Sequence, residues 1–380
     1  MASTNNPMGS STPPPDVSKT TLPMSGLLCD VYGLEELVAR RASAVSCLWL
    51  HHPRLRAKED MADFASRVIS QWEGTTSSAA GAGAGGRALI AVAFDQQNHG
   101  TRTVSPTASD SWREGNATHA LDMWGMVSGM VSDTTALIDA IEGYLKLELA
   151  RRGAVAEWKI DQHLVLGVSL GGHSAWQTMF REARVSAGVV IIGCPDYMGE
   201  CCVPEIDDDD NTDAGTDASS DRAKKSKLAT FSAEDNGVSF LGSRDFPPDL
   251  VASCLRHDPK GILFGTGAVP ASAGSLSGDE RRRLRGVLDG LRLGNKKFLV
   301  CSGAEDKLVP YKMSEPFVDF FAGAVETWYA DEGVVLENKV YEGIGHAFSE
   351  GMVEDSLRFL VDAVAAKDGS QGGEERRAKI

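Results

Sequence analysis

Residues Gly167-Val168-Ser169-Leu170-Gly171-Gly172 set a serine between glycines, directly after an apolar run and directly before a segment of helical spacing. A serine on a tight strand-to-helix turn is held clear of the backbone, and glycines on either side let the turn close. The helix start beside it offers backbone N–H groups and a positive dipole end to an oxyanion. The chemistry this predicts is nucleophilic attack by Ser169 on a carbonyl, with the N–H of Leu170 as one oxyanion donor.

A serine hydroxyl needs a base within hydrogen-bond reach, and the base needs an acid to orient it. Behind an elbow of this kind the acid and then the histidine follow along the chain. The apolar run 298–301 leads into Ser302-Gly303-Ala304-Glu305-Asp306-Lys307-Leu308-Val309-Pro310. Glu305 and Asp306 compete for the acid, and the pattern Gly-x-x-Asp-x-x-Val-Pro favours Asp306. The next expected strand, 336–341, leads into Glu342-Gly343-Ile344-Gly345-His346. Of the eight histidines, only His346 has both the chain order and a loop position after a late strand. His163 is expected to precede its strand, His173 to pack inside the helix after Ser169, and His257 to lie in an insertion.

A second oxyanion donor is expected from the loop after the strand 45–50, which reads His51-His52-Pro53-Arg54-Leu55. Proline has no N–H, so the choice falls on the N–H of Arg54. The adjacent histidines do not suggest a metal, because neighbouring side chains on an extended segment point to opposite sides and no Glu-x-x-His or Cys partner is near. The polar loop Asp95 to Arg102 is expected to be held by hydrogen bonds of Asp95 and Arg102. Met123, Met126 and Met130 with Trp124 form a helical stripe, more often core than acyl pocket.

These residues need a frame. Strands are expected at 27–32, 45–50, 88–94, 164–168, 185–192, 297–301 and 336–341, and helices at 34–42, 61–72, 118–149, 171–180, 313–329 and 352–366. The alternation implies a mostly parallel sheet with helices on both faces. It breaks once, so the expected organisation is a disordered tail over 1–25, core over 26–198, an insertion over 199–293, core again over 294–366 and a charged tail over 367–380. Within the insertion, 205–226 holds Asp207–Asp210 and almost nothing apolar, which predicts a mobile acidic loop. Residues 240–293 carry enough apolar surface to pack as a helical lid, with Phe240, Leu241 and Phe264 as substrate-binding residues. The stretch 74–87 reads as a Gly/Ala/Ser-rich loop.

The chain has 380 residues, 42% of them hydrophobic. That suits one α/β core of roughly 250 residues with an insertion. The net charge is −15, with no basic stripe, a poor basis for nucleic acid or anionic membrane binding. Seven cysteines in no repeated pattern suggest neither zinc nor a disulfide framework, and point to a reducing compartment. The first 25 residues lack the charge and apolar run of a secretory signal, and no apolar run reaches the ~18 residues of a membrane span. The expected location is cytoplasmic. Ala378-Lys379-Ile380 resembles a degenerate peroxisomal Ser-Lys-Leu signal, against the plainer reading of a charged tail. Asn116-Ala117-Thr118 matches the glycosylation pattern by coincidence.

The order strand, G-x-S-x-G, helix, Asp, His resembles the α/β-hydrolase superfamily over about 26 to 366. Asp95…Asn98-His99-Gly100…Arg102 and residues 167–173 look like its esterase and prolyl-oligopeptidase-like branch. The run 189–197 is similar to that of uncharacterised fungal members and small bacterial carboxylesterases. The resemblance implies hydrolysis through an acyl-enzyme, without cofactor, on a small-molecule acyl substrate. Two departures stand out. The usual His-Gly of the oxyanion loop is here His52-Pro53, and the large β-propeller of true prolyl oligopeptidases is missing. The expected activity is cleavage of a carboxylic ester or thioester. The alternatives are a thioesterase or lactonase of secondary metabolism, a small-peptide hydrolase, or a non-catalytic binder on a hydrolase fold.

Overall fold

A computed structural model describes residues 12–78, 86–112, 114–154, 157–201 and 240–377. Eight strands, β1 (Lys19–Met24), β2 (Leu27–Tyr32), β3 (Ala44–His51), β4 (Arg87–Phe94), β5 (Lys159–Val168), β6 (Val185–Ile191), β7 (Lys297–Gly303) and β8 (Val335–Tyr341), form one sheet. Their spatial order is β1-β2-β4-β3-β5-β6-β7-β8. The β1–β2 and β2–β4 pairs are antiparallel, and every later pair is parallel.

The central strands β3 to β7 are buried on both faces, as parallel strands with crossover helices must be. Successive strand side chains alternate between the faces, so β3 sends Val45, Cys47 and Trp49 into one cluster and Leu48 and Leu50 into the other. On the first face lie α1 (Leu34–Arg40), part of α3 (His119–Arg151), α4 (Leu170–Arg181) and, from the late chain, Phe317, Val318, Phe320 and Phe321. On the second face lie α2 (Ala62–Ser78) and residues of the last helix, Met352, Phe359, Leu360 and Val364. The short α5 (Tyr197–Cys201) follows β6. Beyond it come α6 (Pro248–His257), α7 (Pro259–Phe264), α8 (Gly278–Gly290), α9 (Tyr311–Glu326) and α10 (Glu350–Arg377). Cys29, Cys47, Cys194, Cys254 and Cys301 are buried thiols. No described helix is long and apolar enough to cross a membrane.

Several boundaries differ from the sequence expectation. The expected tail to residue 25 gives way at Lys19 to a strand that pairs Lys19–Met24 with Leu27–Tyr32. Ser25 and Gly26, both at positive φ, close this hairpin as a two-residue turn. Strand β5 starts at Lys159, so His163 lies inside it and accepts from Trp49 Nε1 at 3.2 Å. Its polar first half is tolerated because Asp161 pairs with Arg87 and Gln162 accepts from Ser46. Helix α2 runs on to Ser78, into the expected loop. Helix α10 runs to Arg377, through most of the expected charged tail.

The insertion does not behave as one lid. Phe240, Phe246, Leu250 and Cys254 pack with Leu170, Met123, Trp124 and Tyr197. Leu263, Leu284 and Leu288 join the first-face cluster with Trp176 and Phe317 instead. Helix α8 is Arg-rich outside and turns two leucines inward, the pattern of an ordinary flanking helix. The acidic stretch 205–226 and the tripeptide 378–380 lie outside the described residues.

Candidate active site

Ser169 stands between β5 and α4 with φ 55° and ψ −116°, a backbone conformation that costs on the order of 1–3 kcal/mol unless its surroundings enforce it. Three contacts enforce it here. The Ser169 N–H donates to Ile191 O at 2.9 Å, and its carbonyl accepts from the His173 N–H and from His173 Nδ1. His173 thus packs in α4, as its position implied, and braces the turn.

The glycines matter for space. A Cβ on Gly167 would lie 1.9 Å from Gly171 O, and one on Gly171 would lie 2.1 Å from His51 O. A Cβ on Gly172 would lie 2.8 Å from Ile191 O. These close approaches draw the end of β3, and the loop after it, against the start of α4.

His346 reaches in from the loop after β8. Its Nε2 lies 2.8 Å from Ser169 Oγ, and its Nδ1 lies 2.8 Å from Asp306 Oδ2. A carboxylate only accepts, so the ring proton is on Nδ1, and Nε2 is free to accept from the serine hydroxyl. The other Asp306 oxygen accepts from the N–H groups of Leu308 and Val309, both at 2.9 Å. The Asp306 carboxylate is fully buried, while Glu305 is exposed. The three residues expected as nucleophile, base and acid are therefore brought together in one hydrogen-bonded line.

The strand order, the single elbow and the late-strand loops carrying Asp306 and His346 decide the architecture. The chain has the α/β-hydrolase fold. No family model and no curated protein matches it. Among solved structures it is similar to an S-formylglutathione hydrolase from Agrobacterium tumefaciens, at 13% identity and TM-score 0.45, covering 91% of this chain and 94% of the other. It is also similar to a hyperthermophilic esterase from Pyrobaculum calidifontis, at 15% identity and TM-score 0.41, covering 95% of this chain and 87% of the other. A Thermus thermophilus protein is similar at 16% identity and TM-score 0.43, covering 92% of this chain and 98% of that one.

Leu170 is the first residue of α4, where an N–H has no intrahelical acceptor. The N–H of Arg54 takes no hydrogen-bond partner among the described residues, and the Arg54 guanidinium donates to Ser109 O. His51 is not near His52 in function: its ring lies against Ser174 Oγ and Thr134 Oγ1. Among the described residues no cluster of His, Cys, Asp and Glu is placed to hold a metal ion.

Phe240 and Leu241 pack in the cluster that contains Leu170, with Trp112 at its edge. Phe264 does not. Its ring meets Phe320 at 4.9 Å and packs against the first-face core. Asp95 accepts from Lys58 N–H, Thr101 N–H and the Thr101 hydroxyl, and Arg102 donates to Asp95 O. The Asp95–Arg102 loop is thus held by hydrogen bonds.

Sequence reasoning missed the grip on the loop after β3. His52 and His99 hold it from both sides, and the Asn98-His99-Gly100 run was the available signal.

Proposed function

We propose that this protein is a serine hydrolase that cleaves a carboxylic ester or thioester of a small molecule through an acyl-enzyme. The observation that supports it is the unbroken line Ser169 Oγ–His346–Asp306 at two distances of 2.8 Å, with the serine on a strained turn at a helix start. His346 Nε2 takes the hydroxyl proton as Ser169 Oγ attacks the carbonyl carbon. Asp306 holds the ring tautomer and balances the imidazolium. The N–H groups of Leu170 and Arg54 receive the oxyanion. His346 passes its proton to the departing alcohol or thiol, which leaves the acyl group on Ser169. Water then attacks that ester, with His346 again taking and returning the proton, and the carboxylic acid leaves.

Phe240 and Leu241, beside Leu170, form the apolar wall that receives the acyl chain. Phe264 has no part in it. The test is a fluorophosphonate probe with purified protein and the Ser169→Ala variant. Wild-type protein should label at Ser169 and hydrolyse activated esters. Ser169→Ala should not label, and should lose kcat on the order of 10⁴-fold or more. A chain that neither labels nor hydrolyses is a binder on a hydrolase fold, and this reading is then wrong.

A further inference from the structure

The loop after β3 is gripped by two histidines whose partners leave no choice of tautomer. His52 Nδ1 lies 2.8 Å from Pro53 O, which only accepts, so Nδ1 carries the proton. The Gln96 N–H donates to His52 Nε2 at 2.9 Å, so Nε2 is bare. His99 repeats the pattern: Nδ1 donates to Gln97 O at 3.0 Å, and Nε2 accepts from the Leu55 N–H at 3.0 Å. The two rings meet edge to face with centroids 5.3 Å apart. Gln96 Nε2 closes the lattice on His52 O.

The loop they hold is strained. Leu55 has φ 61°, rare for a non-glycine residue, yet the residue is 64% exposed. Its own packing therefore cannot impose the conformation. The bond from its N–H to His99 Nε2 can, and Arg54 is the residue just before it.

We propose that His52 and His99 are positioning residues that lock residues 52–55 beside the elbow and so aim the Arg54 N–H at the oxyanion. This rests on the hydrolase reading above. Both rings are buried, which keeps them neutral: burial pushes the His52 pKa down to about 4, and His99 is lowered by the same cause. A neutral ring is what each site needs, since a protonated Nε2 would oppose a backbone N–H.

An oxyanion donor acts on the transition state more than on bound substrate, so the effect belongs in kcat. His99→Leu removes the acceptor. His99→Gln can place its amide oxygen where Nε2 stood. With a p-nitrophenyl ester, kcat of His99→Leu should fall ~10²–10³-fold, the range for one lost oxyanion donor, with KM changed less than ~3-fold. His99→Gln should recover kcat to within ~10-fold of wild type. A folded His99→Leu with wild-type kcat, a loss expressed in KM, or equal losses in both variants overturns the proposal. Should His99→Leu fail to fold, the imidazole nitrogen resonances of the wild-type protein decide: an Nε2–H tautomer at His52 or His99 overturns it, and bare Nε2 at both supports it. Wild-type protein that hydrolyses no ester counts against the hydrolase reading, whereas active wild type with an indifferent His99 counts against this inference alone.

Discussion

At the scale of single residues, the choice between two adjacent carboxylates turns on burial and direction. Asp306 is buried, gives one oxygen to His346 and one to two backbone N–H groups, while Glu305 faces solvent. In Asp306→Asn the side-chain amide can donate to Nδ1 and drive the ring proton to Nε2, where it opposes Ser169. The expected loss in kcat is ~10⁴-fold, against no more than ~3-fold for Glu305→Gln. Steady-state kinetics on both variants checks this, and a larger loss in Glu305→Gln would refute the acid assignment. Gly171→Ala is a second single-residue prediction. Its new methyl would sit 2.1 Å from His51 O, a backbone atom that cannot swing aside. The loop and the elbow must separate, so both kcat and thermal midpoint should drop. A variant with unchanged activity would show that the loop has slack.

Elements decide what the apolar residues of the insertion do. Phe240 and Leu241 join the cluster around Leu170, and Phe264 joins the core beneath. Polar substitutions at Phe240 or Leu241 should shift acyl-chain preference by roughly 1–3 kcal/mol per lost contact. Phe264→Ala should leave chain preference alone and destabilise the fold by ~1–3 kcal/mol, less than a fully buried phenylalanine, because its ring is only half-buried. Rates on a series of ester chain lengths, with urea denaturation of each variant, separate the two. A chain-length effect in Phe264→Ala would put α7 over the site. The same elements show why the sequence was readable in part. Ser169 and Asp306 were legible because each follows a strand that ends in a continuous apolar run, and two-sided burial writes such strands plainly. His346 was legible from chain order and its glycine-flanked loop, since β8 is a half-exposed edge strand carrying Glu337, Asn338 and Lys339. Phe264 was not, because an apolar list carries no direction: the helix turn that faces α9 and one that faced the elbow would have the same composition. Strand β1 was hidden by its polar, half-exposed alternation, although Ser25-Gly26 is a turn signal. His52 and His99 were missed because their role depends on two loops meeting in space.

For the molecule as a whole, buried neutral histidines set the acid limit of stability. Burial pushes the pKa of His51 down to about 3, with His52 adding to it, and that of His52 down to about 4 against the pull of the Pro53 carbonyl. Burial with Arg184 nearby lowers His163 to about 4. In the unfolded chain such histidines titrate near ~6.5. From about pH 6.5 down to about 4 the unfolded state therefore binds protons that the folded state refuses, so stability falls as pH falls across that window. By pH 4 each histidine withdraws up to ~3 kcal/mol, which three together make comparable to the whole stability of a domain. Asp95, Asp161 and Glu182 act in a different window. Their folded pKa values are lowered, mainly through hydrogen bonds from Thr101 and Lys58, from Arg87 and from Arg184, working against burial. Their contribution is intact above ~4 and is lost only as pH falls further. The urea midpoint should thus drop between pH 6.5 and 5, before Asp95, Asp161 or Glu182 is protonated, with part of the slope offset by Asp258, whose pKa burial raises well above the usual carboxylate value. His163→Gln keeps an acceptor for Trp49 Nε1 but cannot titrate, and it should remove about one proton from that slope. A midpoint flat from pH 6.5 to 5, or a His163→Gln profile parallel to wild type, would mean that these rings are protonated in the folded state and that the buried hydrogen bonds assigned to them are wrong.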